Sequence, residues 1–133
     1  MALRILVADR DKRNLAQLHH ALDERAHEIV EVTSAGKVVE AFLPGRFDLI
    51  VLSMDLPDID AFYLLEGIRS VDPDVPVFMI GGDCSARMKA LSWGASGVLA
   101  KINHGPGTTV VVAGSLYLVG AVKALLERET KRR

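Results

Sequence analysis

Four short polar clusters each follow a run of branched apolar residues: Asp9 to Asp11, Ser53 to Asp58, Gly81 to Asp83, and Lys101 onward. Their residue types suggest two chemistries. Asp9, Asp11 and Asp55 could together hold a hard cation through oxygen ligands. Gly81 and Gly82, with Gly114 and Ser115 further on, could let backbone amides approach a phosphate or nucleotide in a crevice. No G-x-x-x-x-G-K-[ST] run accompanies these glycines, so phosphate-loop chemistry lacks its lysine and its spacing.

The elements that must carry these clusters alternate regularly. Leu3 to Ala8, Glu28 to Thr33, Asp48 to Ser53, Val75 to Ile80 and Gly97 to Lys101 read as strands, and their continuous apolar runs suit a parallel sheet buried on both faces. Between them lie helical patterns. Leu15, Leu18 and Leu22 space one helix; Ser34 caps a second that carries Val38, Val39, Phe42 and Leu43 before Pro44 and Gly45. A third follows Pro57 with Phe62, Leu65 and Ile68 on one face, and a fourth runs from about Ser85 to Trp93 and stops at Gly94. This order predicts an α/β domain with right-handed crossovers, whose chemistry belongs at the carboxyl ends of its strands.

Composition narrows the function. The chain has 133 residues, with 16 Lys+Arg against 17 Asp+Glu and a formal charge of −1. This length predicts one domain with a core of its own, needing neither disulfide nor structural metal. The near-neutral balance gives no field for nucleic acid or an anionic membrane, and no apolar stretch approaches a bilayer span. A cytoplasmic protein with no nucleic-acid or membrane partner is expected. The lone Cys84 is expected as a small, partly buried residue, and His19, His20, His27 and His104 lack the i, i+4 pairing of a helical metal site. No metal and no cofactor is expected.

The strand-end segments ILVADRD, FDLIVLSMDLPDIDAF and WGASGVLAK together resemble the receiver domain of two-component response regulators over about residues 3 to 103. The resemblance implies a flavodoxin-like three-layer sandwich with a central parallel sheet of five or six strands. It also implies an aspartate phosphoacceptor at the end of the third strand, beside a divalent cation held by a pair of acids. Ser53 stands at that acceptor position, and a serine hydroxyl cannot form the family's acyl phosphate. Arg10 replaces the second acid with a guanidinium that keeps its proton. The switch hydroxyl after the fourth strand is Gly81, and its aromatic partner on the fifth is Val98. Asp9 and Lys101 remain in register. The expected arrangement has Asp11 capping the first helix, Asp55 solvated, and Asp9 paired with Arg10 or Lys101. Arg10 and Lys101 then supply the charge of the missing cation.

Beyond the fifth strand, Thr108 to Ala113 is a further strand candidate, followed by a helix carrying Leu118, Val122, Leu125 and Leu126. The run VVVAGSLYLVGAVKALLE, within residues 108 to 127, resembles the last strand and helix of folylpolyglutamate synthase. A junction of two fragments near residues 103 to 107 is one account of it; a divergent natural receiver is the other. The sequence therefore predicts a non-enzymatic, phosphorylation-incompetent receiver-like domain, serving as a protein-interaction module or as an engineered scaffold. The alternative is a small nucleotide- or phosphate-binding domain. Trp93, Val98 and Tyr117 mark the face expected to meet a protein partner or a second copy.

Overall fold

The computed structural model describes residues 3–21, 27–99, 101–103 and 109–111. Strand β1 (Arg4–Ala8) leads to helix α1 (Lys12–Ala21), β2 (Glu28–Val32) to α2 (Ala35–Ala41), β3 (Leu49–Ser53) to α3 (Ala61–Val71), and β4 (Val77–Ile80) to α4 (Cys84–Ser92) and then β5 (Gly97–Leu99). The five strands form one parallel sheet in the order β2-β1-β3-β4-β5. The order reverses between β1 and β3, and in such sheets a crevice opens at that point, beyond the strands' carboxyl ends.

Alternation along each strand builds two cores. Leu6, Ala8, Ile50, Leu52, Val77 and Met79 face one side, where they meet Ala35 and Val38 of α2, Leu64, Leu65 and Ile68 of α3, and Ala90 of α4. Ile5, Val7, Leu49, Val51, Phe78 and Ile80 face the other, with Leu15 and Leu18 of α1. All five residues of β3 are buried, as its uninterrupted apolar run requires of a central strand.

Short polar side chains set the helix starts. Asp11 accepts the Arg13 N–H at 2.8 Å, Ser34 that of Lys37 at 3.2 Å, Asp60 that of Phe62 at 2.8 Å and Asp83 that of Ala86 at 2.7 Å. The second helix is shorter than its apolar spacing suggested. It ends at Ala41, where Phe42 takes an extended conformation, so Leu43 leaves the helical stripe and lies exposed. Val39 is exposed as well. Cys84, expected partly buried, is exposed, because α4 buries a single residue, Ala90.

The largest departure follows β5. Its pairing stops at Leu99, and Lys101–Asn103 forms β6, antiparallel to β7 (Thr109–Val111), with Lys101 opposite Val111. The apolar run after the glycines therefore adds no sixth strand to the parallel sheet. A parallel neighbour needs a crossover of about a dozen residues or more, and the stretch from Asn103 to Thr109 is too short for one. Strand β7 comes to lie beside α1. The expected last helix, with Gly114, Ser115 and Tyr117, falls outside the described residues, as does most of the 103 to 107 segment.

Candidate functional site

The crevice between β1 and β3 is an open pocket of about 520 Å³ lined by Asp9, Arg10, Asp11, Lys12, Asn14, Ser53, Asp55, Gly81 and Gly82. Of the seven residues expected at the acceptor pocket, Asp9, Arg10, Asp11, Ser53, Asp55 and Gly81 thus share one cavity. The seventh, Lys101, has its backbone in β6, and its side chain lies outside the described residues.

Asp9 directly follows β1 and is buried. Its Oδ1 accepts the Asp11 N–H at 3.0 Å and its Oδ2 accepts the Asn14 side-chain amide at 3.2 Å. Asn14 is a site residue that the polar clusters at the strand ends do not include. Its signal was its position four residues before Leu18, on the inward stripe of α1. The opposite end of that amide, Oδ1, is buried and has no hydrogen-bond partner among the described residues.

Arg10 leaves the loop that follows β1. Its Nη1 reaches across the crevice to Asp55 Oδ1 at 3.2 Å, joining the loop after β1 to the loop after β3. The two side chains are 51% and 72% exposed, so solvent screens most of their attraction and the bridge organises the pocket mouth more than it stabilises the fold. Asp55 is as solvated as expected, with Arg10 as an additional partner.

Ser53 is buried at the end of β3, and its Oγ accepts the Asp55 N–H at 3.2 Å. Further along that loop, Asp58 accepts the N–H groups of Ala35 and Gly36, each at 2.8 Å. Those two backbone donors, Gly36 foremost, hold its carboxyl below the usual carboxylate range. They tie the β3 loop to the start of α2.

On the third side, Gly81 and Gly82 both have positive φ, 96° and 71°. A side chain at Gly82 would start 2.5 Å from the Met54 sulfur and 3.0 Å from the Ala86 Cβ, so the loop after β4 closes only with glycine there. The Gly81 N–H is committed to the Leu99 carbonyl at 2.8 Å. That removes one of the amides a phosphate crevice would use.

A divalent cation, which the receiver resemblance implies, does not fit this donor set. The crevice holds a guanidinium at one would-be ligand position, and both oxygens of Asp9 accept hydrogen bonds from protein donors. Among the described residues no group of three or more His, Cys, Asp or Glu side chains is arranged to hold a metal ion.

The residues expected at an interface lie elsewhere. Trp93, 37% exposed, closes α4 and meets the ring edges of Phe62 and Tyr63 at 5.8 and 6.4 Å between centroids. Val98 is half-buried in β5 against the α2–α4 core. No helix among the described residues is long and apolar enough to cross a membrane.

This arrangement has relatives. The family model for the response regulator receiver domain matches residues 5–106. Transcriptional regulatory protein PrrA of Mycobacterium bovis is 32% identical over 127 residues, which cover 94% of this chain and 50% of PrrA. Two-component response regulator ARR12 of Arabidopsis thaliana is 30% identical over 105 residues, 76% of this chain and 17% of its own. The chain therefore spans half or less of these relatives. A CheY-like receiver domain protein from Methanospirillum hungatei superposes with a TM-score of 0.80 at 21% identity, over 100% of both chains. Strand order, the crevice at the β1/β3 reversal and the family match over most of the chain agree: it belongs to the response regulator receiver domain family.

Proposed function

We propose that this receiver domain takes no phosphoryl group and acts as a non-enzymatic, cytoplasmic protein-interaction module, meeting its partner or a second copy through α4, β5 and the chain beyond them. The observation that carries this reading is the Arg10 to Asp55 bridge at 3.2 Å. Phosphoryl transfer to an acid depends on positioning and on neutralising charge at the equatorial oxygens, which in receivers falls to a divalent cation. Here a protonated guanidinium sits at the mouth of the crevice, and the residue below it is a serine whose hydroxyl has no acidity to match an aspartate. Gly81 offers no hydroxyl to follow a phosphoryl group, and Val98 no aromatic ring to move with it. Without those parts the outward face has one resting arrangement.

The PrrA alignment, covering 94% of the chain, runs through residues 103 to 107. Such continuity favours a single diverged lineage over a graft of two folds, and with it a cellular partner over an inert scaffold. The phosphate-crevice alternative is weakened by the commitment of the Gly81 amide to Leu99. The test is intact-mass spectrometry after incubation with magnesium and a small-molecule phosphodonor. Unchanged mass is expected for the natural chain, and Arg10→Asp combined with Ser53→Asp should gain one phosphoryl group. A phosphoryl group found on Ser53 or Asp55 of the natural chain overturns the reading.

A further inference from the structure

Helix α4 is attached to the body in an unusual way. Of its nine residues only Ala90 is buried, while Met88 and Leu91 point to solvent, so little apolar burial holds it. What does bind it to α3 is aromatic and cationic. The Lys89 ammonium lies 4.6 Å from the centroid of the Phe62 ring on α3 and 5.1 Å from that of Trp93 at its own helix end. Phe62 and Trp93 meet edge to face at 65°, with Tyr63 adding a second edge at 81°. A cation over a ring face is attracted by the ring's quadrupole, and two rings around one ammonium both contribute.

We propose that Lys89 is a charge-dependent latch that seats α4 on α3, so that removing or masking its ammonium releases the helix and frees the ring faces of Phe62 and Trp93. The latch stands apart from the strand-end pocket and holds whether or not that pocket accepts a phosphoryl group. Just past the Trp93 end of α4, Arg69 of α3 donates from Nε to the Gly94 carbonyl at 2.8 Å and from Nη2 to Ser96 Oγ at 3.2 Å, which keeps the turn into β5 in place when the last turn of α4 is released. The Lys89 side chain is exposed, and a competing anion or a modifying enzyme can reach its ammonium without prior unfolding.

Lysine also carries a hydrocarbon stem that could pack on the rings without help from its charge. Two substitutions separate the possibilities. Lys89→Met keeps the stem and removes the charge; Lys89→Arg keeps a cation. Native-state hydrogen exchange of the α4 amides reads the open-to-closed ratio, and acrylamide quenching of Trp93, the sole tryptophan, reads ring exposure. Lys89→Met is expected to speed α4 exchange about two- to fivefold and to raise quenching, with Lys89→Arg close to the natural chain. Phe62→Leu, which removes one ring, should move both readouts in the same direction as Lys89→Met. Natural exchange rates in folded Lys89→Met, or equal loosening in Lys89→Arg, overturn the proposal.

Discussion

At the strand ends, Arg10 reaches Asp55 through open solvent; behind α3, Arg69 lies half-buried among backbone carbonyls and the Ser96 hydroxyl. The second guanidinium donates to the carbonyls of Gly94 and Val75 and to Ser96 Oγ, and so joins the end of α3, the start of β4 and the turn into β5. Burial lowers its pKa, with Asp72 and Asp74 opposing that shift. The same functional group thus has two roles. In water it shapes a crevice mouth whose fold is already determined by the buried strands beneath it. Partly out of water it carries structure, because the carbonyls it satisfies would otherwise be left wanting donors.

That contrast can be broken in order of size. Arg69→Met should lower stability by about 1.5–3 kcal/mol in urea unfolding, since it strips charge-assisted hydrogen bonds from partly buried acceptors. A loss no larger than that of an exposed surface change would erase the distinction between the two arginines. At the pocket, Gly82→Ala should lower stability by about 1–2 kcal/mol, because its φ of 71° is left-handed and the added Cβ meets the Met54 sulfur. Thermal denaturation of that variant tests whether the strand-end loops, and not the exposed ion pair, give the pocket its shape.

The smallest effect belongs to Asp58, and it depends on pH. The N–H groups of Gly36 and Ala35 hold its folded pKa below that of an ordinary aspartate, so its stabilising contribution is fully present above that ordinary value. The contribution is lost as pH falls through the lower folded pKa. Asp58→Asn should therefore melt slightly below the natural chain at pH 7, and the gap should narrow at pH 3. A gap that stays constant across that range would mean that the two N–H groups of Ala35 and Gly36 gain nothing from the charge of their acceptor.

Much of the site could be read before any coordinates. Asp9, Arg10, Asp11, Ser53, Asp55 and Gly81 stand at the ends of apolar runs, and a parallel sheet must gather such ends on one edge. Asn14 was missed because its residue type argues for a turn, while its spacing from Leu18 argues for the buried face of a helix; position prevailed over type. The reach of Arg10 to Asp55 was not anticipated either. Asp9 is the nearer acid along the chain, but it is buried directly after β1, and a long side chain leaving that loop can span to the facing loop after β3.

The C-terminal ribbon teaches a different lesson. Within the run from Thr108 to Ala113 that reads as a strand, Thr109–Val111 is one, but strand propensity says nothing about which neighbour a strand will take. Loop length does. Too few residues separate Asn103 from Thr109 for a parallel crossover, so the run turns back on Lys101–Asn103.

From sequence alone came the alternation of strand and helix, the caps at Asp11 and Ser34, the family, and the placement of Arg10 and Ser53 at the ends of the first and third strands. These follow from residue type and spacing, which act locally. Tertiary structure alone decided that Arg10 spans to Asp55, that Asn14 holds Asp9, and that Lys89 finds the ring of Phe62 across a helix boundary. Each joins residues on different elements, or on a strand end and the helix after it. Which side chains meet there depends on how the crossovers stack those elements on the sheet, a distance that no spacing along the chain encodes.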